Sequence, residues 1–276
     1  MIKWATRKPR PLWRQPVALA ALAWLIIAAL AACLAPTLSP VGPLEAHTDQ
    51  SLRPPSAAAP LGTDLLGRDV LARLLWGGRW TLGLSVIGLI VSVGLGLPVG
   101  LAAGALGNPL DAFLMRLVDA LLAFPALLMA MAILAILGRG VAPVAISVGL
   151  SAAPAYARIA RSAVLEVRVR PYVDAARALG GSEWHIMIRH ILPNATAPLI
   201  AFAATQLGWI LLNSAALNFL GLGVKLGVPE WGAMLADGRG YLRNGPWVST
   251  FPGLALTFTV LAANLLGDGL QEALRR

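Results

Sequence analysis

Residues 80–110 read WTLGLSVIGLIVSVGLGLPVGLAAGALGNPL, a run of 31 positions without aspartate, glutamate, lysine or arginine. A bilayer core of about 30 Å is crossed by about 20 apolar residues of helix. This run is more than long enough. Hydrocarbon offers no water to backbone N–H and C=O groups, so a span must be a helix or part of a closed barrel. Barrel strands would alternate in polarity over about 10 residues, and this run does not alternate. Working outward, windows 15–44, 120–138, 140–157, 190–224 and 244–267 are also free of formal charge. The six windows hold 157 of the 276 residues, which excludes an ordinary soluble domain, a disordered chain and a disulfide scaffold. The single cysteine, Cys33, leaves no intrachain disulfide. The fold class is an all-α membrane protein with six transmembrane helices.

The net charge of +9 acquires meaning from its distribution. Lys3, Arg7, Lys8, Arg10 and Arg14 precede the first window. Arg158, Arg161, Arg168, Arg170, Arg177 and Arg189 share one loop, and Arg275 and Arg276 end the chain. Bases that flank short loops stay cytoplasmic, and an even span number puts both termini on one side. The N-terminus, the 158–189 loop and the C-terminus are therefore expected in the cytoplasm. Nucleic-acid binding would need aromatics interleaved with bases on an exposed surface, a pattern this chain does not have.

The expected organisation is a basic cytoplasmic segment at 1–14, with Trp4 and Trp13 as interfacial anchors, and a first span at 15–38. An external loop with an amphipathic helix covers 39–79, and a five-helix core covers 80–276 and includes the cytoplasmic loop 158–193. In the external loop Leu71, Leu74 and Leu75 form one stripe and Arg68, Asp69 and Arg73 the polar side, as in a helix lying on the membrane surface. The remaining spans fall at about 81–106, 120–137, 141–157, 197–219 and 247–267, with Asp111, Arg116 and Asp119 in a short inside loop. Gly96, Gly100 and Gly104 share a helix face and read first as tight packing inside the bundle, second as a subunit interface. Leu30-Ala31-Ala32-Cys33 has the form of a lipoprotein cleavage box. A cysteine among small residues of an uncleaved helix is the preferred reading.

The loop 158–193 has structure of its own. Pro171 suits a helix start, and Tyr172 to Leu179 are good helix formers. Gly180-Gly181 breaks that helix, Ser182 caps a second short one, and Pro193 closes the unit. Two short helices hinged at glycines make a compact cytoplasmic knob, suited to receiving force from a soluble motor.

These residues resemble the EAA loop of bacterial ABC importer permeases, whose pattern is Glu-Ala-Ala, three residues, Gly, nine residues, then Ile-any-Leu-Pro. Here Asp174-Ala175-Ala176, Gly180 and Leu192-Pro193 keep the pattern, with Asp174 replacing Glu and His190 standing in place of Ile. Leu61 to Asp69, Phe219 to Gly223, Pro229 to Leu235 and Asn264 to Leu270 resemble segments of the dipeptide/oligopeptide/nickel class, C-type subunit. The resemblance implies a transmembrane permease subunit forming half of a translocation pore for peptides or a related small solute. It implies ATPase coupling through Asp174, Ala175, Ala176, Gly180, Gly181, Leu192 and Pro193, and placement in the bacterial inner membrane. Its implied partners are a B-type permease, two cytoplasmic ATPases and an external substrate-binding protein. No phosphate-cradling Gly-Lys-Ser/Thr loop occurs, so ATP is expected on the partners and no cofactor on this chain. Replacing Gly180 by leucine is expected to abolish transport.

Gln206, Asn213 and the adjacent Ser214 form a polar strip in the fifth span. Interhelical hydrogen bonding is one reading, and lining of the substrate path is the other. Asp268 is placed at the cytoplasmic boundary, and His47, His185 and His190 are too scattered to hold a metal together. An ion-coupled secondary transporter would place ionisable residues in mid-span, where this chain has none. A membrane scaffold is the third reading, against which the knob stands.

Overall fold

The computed structural model describes residues 11–107, 109–225 and 227–274. The basic residues Lys3, Arg7, Lys8, Arg10, Arg275 and Arg276, and Trp4, lie outside the described residues. The described chain is nearly all helix: α1 Pro16–Cys33, α2 Ala35–Leu38, α3 Val70–Leu106, α4 Leu110–Leu122, α5 Ala126–Leu137, α6 Val141–Arg168, α7 Pro171–Ala178, α8 Glu183–Ile186, α9 Leu192–Phe219, α10 Trp231–Gly238 and α11 Trp247–Leu274. A π-helical turn, Met187–Ile191, joins α8 to α9. Among the described residues the sole strand-like pairing is a bridge between Thr63 and Asp69.

Among the described residues four helical stretches are long and apolar enough to cross a membrane: α1, α3, Glu183–Phe219 and α11. The pair α4–α5, bent by 90°, would make a fifth. Three expectations are corrected here. No surface helix is separate from the second span, because α3 runs unbroken for 37 residues, about 55 Å at 1.5 Å per residue. Asp69 caps it by accepting the Ala72 N–H at 2.8 Å. Asp111, Arg116 and Asp119 stand on α4 rather than in a loop. The window 120–138 is no single straight span, because the chain turns at 123–125, where the residue before Pro125 is steered out of helical geometry.

The expected fourth span corresponds to α6, which does not pass as a span on apolarity. Its Ser147, Ser151 and Pro154 are buried, and its charges begin at Arg158. It sits at the centre of the bundle. Gly88 and Gly149 meet each other's helices, and Gly96, Gly100 and Gly104 run along the backbone of α6. A Cβ on Gly96 would lie 2.6 Å from the Ala153 carbonyl oxygen, and one on Gly100 would be closer still to that of Ala157. These glycines pack inside the bundle, which allows α3 and α6 to approach at backbone distance.

The contacts also fix directions. Gly88, Gly96 and Gly104 meet Gly149, Ala153 and Val164 in ascending order, so α3 and α6 are parallel. On α9, Leu199 meets Tyr156 while Gln206 meets Ala152, so α9 runs the other way. Thr205 and Gly208 of α9 meet Gly267 and Ala263 of α11, and Ala18 and Trp24 of α1 meet Gly269 and Thr259, so α11 is antiparallel to both. The ends of α3, α6 and α11 therefore gather at one end of the bundle with the start of α1 and the knob. The segments 47–69 and 229–247 gather at the other.

Candidate functional site

The knob is built as its sequence predicts up to Ile186. Pro171 opens α7, Gly180 follows it in the left-handed region at φ +86°, and the Ser182 hydroxyl accepts the His185 N–H at 3.3 Å. Across the turn, the Arg177 guanidinium donates to Glu183 at 2.8 Å and to Asp174 at 3.1 Å. The Glu183 carboxylate beside it raises the Arg177 pKa above the usual arginine value. The second helix departs from expectation. Pro193 does not close it but sits in the first turn of α9, so the knob's return arm continues directly into the next span.

One face of the knob is anchored and the other is bare. Val173, Ile186 and Ile191 are buried with Ala160, Ala163, Val164, Val167, Ala195 and Leu199 of α6 and α9. On the outer face Asp174 and Ala175 are exposed, whereas the half-buried Ala176 packs against the anchored cluster, and Gly181 is half-buried at the turn. Leu179 is 90% exposed and Trp184 75% exposed, with Val169 and Tyr172 nearby also uncovered. Large apolar side chains held in water on a rigid mount mark a docking surface. Sequence reading missed their exposure, although Leu179 and Trp184 flank the glycine turn in an otherwise polar stretch. Leu192 is half-buried and Pro193 exposed at the junction with α9.

On α9, the Gln206 amide donates to the Ala152 carbonyl at 3.0 Å, tying α9 to α6. The Asn213 amide turns back to Trp209 at 2.8 Å, and the Ser214 hydroxyl is buried without a hydrogen-bond partner among the described residues. Asp268 is exposed near the end of α11. Among the described residues no group of three His, Cys, Asp or Glu is placed to hold a metal.

The opposite end carries a polar core that sequence reading missed. Asp64 is fully buried, accepts the N–H groups of Leu66 at 2.8 Å and Arg68 at 3.0 Å, and pairs with the Arg68 Nε at 2.6 Å. Arg73, only 1% exposed, bonds Asp64 through Nη1 and Asp237 through Nη2, the latter at 3.1 Å. The expected solvent-facing stripe of Arg68 and Arg73 is thus the inside of a clamp between segments 164 residues apart. Beside it, Trp247 donates to the Thr63 carbonyl at 2.9 Å. Glu230 is buried, accepting from the Thr81 hydroxyl at 3.0 Å and the Ala233 N–H at 2.9 Å. Burial pushes its carboxyl pKa up, against the pull of those donors.

The bundle thus carries a mounted knob at one end and a clamped cap at the other. Residues 96–276 match the family described as binding-protein-dependent transport system inner membrane components. The chain belongs to this family. It is 42% identical to the di/tripeptide transport system permease DppC of Pseudomonas aeruginosa, over 93% of this chain and 87% of that protein. It is also 42% identical to the glutathione transport system permease GsiD of Pectobacterium atrosepticum, over 80% and 73%. Among solved structures, a chain of the inward-facing MetNI methionine ABC transporter shares the fold. Its TM-score is 0.62 at 22% identity, over 74% of this chain and 97% of that one. The protein is thus an ABC importer permease of the dipeptide/oligopeptide class in the bacterial inner membrane. It is a pore subunit and not an enzyme, and it works with ATPase and binding-protein partners.

Proposed function

We propose that this chain is the C-type half of a heterodimeric pore, paired with a B-type permease, two cytoplasmic ATPases and an external substrate-binding protein. Its cargo is a peptide or a related small solute. Relatives named for di/tripeptide and for glutathione transport both support a short peptide backbone as the shared chemistry. In this reading α6 also crosses the membrane, as the fourth of six spans, and both termini lie in the cytoplasm, supported by the Arg-rich end of the bundle where α1 begins and α11 ends.

The observation that carries the proposal is the two-faced knob. The anchored face, through Val173, Ile186 and Ile191, makes the knob move with α6 and α9. The bare face offers Asp174, Ala175, Leu179 and Trp184 to an ATPase groove, with Ala176, Gly180 and Gly181 setting the turn and Leu192 and Pro193 joining it to α9. A ligand shifts a two-state equilibrium only by its differential contact with the two states. ATP closure would alter contact at this surface, and α6 and α9 would carry the change to the path beside Gln206, Asn213 and Ser214.

The structure moderates the expected effect of Gly180→Leu. Space at Gly180 is open, so the penalty comes from φ +86° alone, about 1–2 kcal/mol for a left-handed L-residue. In proteoliposomes with the assembled transporter, uptake of a labelled dipeptide is expected to fall about tenfold, since 1.4 kcal/mol is a factor of ten. Insertion, followed by protease protection, should be unchanged. Uptake equal to the unsubstituted complex would contradict the coupling role of the knob.

A further inference from the structure

Resting on the coupling role proposed for the knob, we infer that Arg161, with Arg158 in support, passes the motion of the knob to the bent pair α4–α5. In the sequence the arginines of α6 signal topology, and the structure gives Arg158, Arg161 and Arg168 specific partners. Arg161 grips Asp111 at the start of α4 with two bonds, Nε to Oδ1 at 2.5 Å and Nη2 to Oδ2 at 2.6 Å. Arg158, one turn back on α6, reaches Asp119 near the end of α4 at 2.5 Å. Arg168, the last residue of α6, donates to the Gly104 carbonyl near the end of α3 at 3.0 Å.

The geometry makes this a linkage rather than scattered ion pairs. The knob follows α6 directly, with one junction residue between Arg168 and the N-cap Arg170. Through the glycine seam, α3 and α6 are packed backbone to backbone, so they move as one body. The helix α4 has no such seam. From Asp111 to Asp119 the partners on α6 step back from Arg161 to Arg158, so α4 runs against the direction of α6. Two charged pairs at its two ends hold it there. At its far end the 90° bend at 123–125 turns the chain into α5, whose Ala130 and Leu134 pack on Val144, Ala145 and Val148 of α6. A rotation of α6 driven at the knob would reach α5 directly through this packing and α4 through the two charged pairs, which keep α4 in step with α5 across the bend.

The two pairs are not equal. The Arg161–Asp111 side chains are 30% and 15% exposed and doubly bonded, whereas Arg158 and Asp119 are more than half exposed. Bidentate, partly desolvated pairs fix geometry as well as adding energy, while exposed pairs contribute little. Arg161 and Asp111 are therefore the positioning residues and Arg158–Asp119 an auxiliary pair.

The test uses the complete transporter in proteoliposomes, with dipeptide accumulated per ATP hydrolysed as the readout. Arg161→Gln and Asp111→Asn are each expected to lower that ratio at least fivefold, with hydrolysis stimulated by the binding protein kept within twofold. Arg158→Gln should lower the ratio less than twofold. The exchange Asp111→Arg with Arg161→Asp preserves the number of bases at this end, so topology is unaffected, and it should restore the ratio to within twofold of the unsubstituted complex. Single variants with an unchanged ratio would overturn the inference. So would an exchange variant as uncoupled as the single variants, which also decides the matter where a single variant fails to insert. Failure of the knob reading looks different: there Gly180→Leu itself keeps full uptake.

Discussion

Val173→Asp is expected to abolish ATP-driven uptake while the permease still inserts into the membrane. Val173 is fully buried at the base of the knob, among Ala163, Val164, Val167, Ile186, Ile191 and Ala195. A polar group buried there without a partner costs about 2–7 kcal/mol, and a carboxylate more. A cost near 4 kcal/mol shifts an equilibrium about 1,000-fold. The least costly relief is local: α7 lifts off α6 and α9, and the aspartate reaches water. The outer face then has no rigid mount. Removing part of the side chain instead, with Val173→Ala, gives up burial of about two methylenes, roughly 1.5 kcal/mol, and should reduce uptake about tenfold. Dipeptide uptake by the assembled transporter, with protease protection for insertion, checks both. Near-normal uptake by Val173→Asp would show that the mount is dispensable.

Arg73→Met is expected to destabilise the whole permease rather than its coupling. The substitution takes one of two cations from the fully buried Asp64, leaving it the Arg68 side chain and the Leu66 and Arg68 N–H groups, and it frees Asp237 from α3. Breaking a buried pair outright costs about 3–5 kcal/mol, the upper bound here because Asp64 keeps Arg68. Arg73→Lys should fall between, since a point charge cannot fork to Asp64 and Asp237 at once. The measurement is thermal unfolding of the detergent-purified permease, followed by tryptophan fluorescence. The expected outcome is a clear drop in midpoint for Met and a smaller one for Lys. Equal midpoints would mean that the clamp carries no stability.

Several elements were legible because one residue type decides them locally. The charge-free windows located α1, α3, α9 and α11, since membrane helices need only an apolar run. Gly180-Gly181 and Ser182 gave the turn of the knob through φ and capping. The bend of α4–α5 was written at Phe124-Pro125 but hidden by a charge-free window of span length. The expected surface helix is the first part of α3: its Arg68–Arg73 stripe looks amphipathic, and Gly77-Gly78 suggests a break before residue 81, but both glycines pack against Pro229 and Trp231 and the helix runs on. Position, not composition, decides whether an arginine faces water, and Arg73 is buried because Asp237 comes to it from 164 residues away. The same holds for Arg161 and Asp111. Their charges were visible, but their pairing depends on how α4 crosses α6, which no local pattern reports.

The central claim is that the bare face of the knob is where ATPase motion enters. Ala175, exposed at the centre of α7, offers the most direct probe. With Cys33 changed to serine, Ala175→Cys in the assembled transporter should crosslink to an ATPase subunit through a short reagent with one thiol-reactive and one photoactivated arm, with a yield that changes on ATP addition. The account predicts that crosslink, and its loss when Val173→Asp is added. An ATPase crosslink formed instead from a cysteine at Ala58, in the segment at the opposite end, with none from Ala175→Cys, would contradict it.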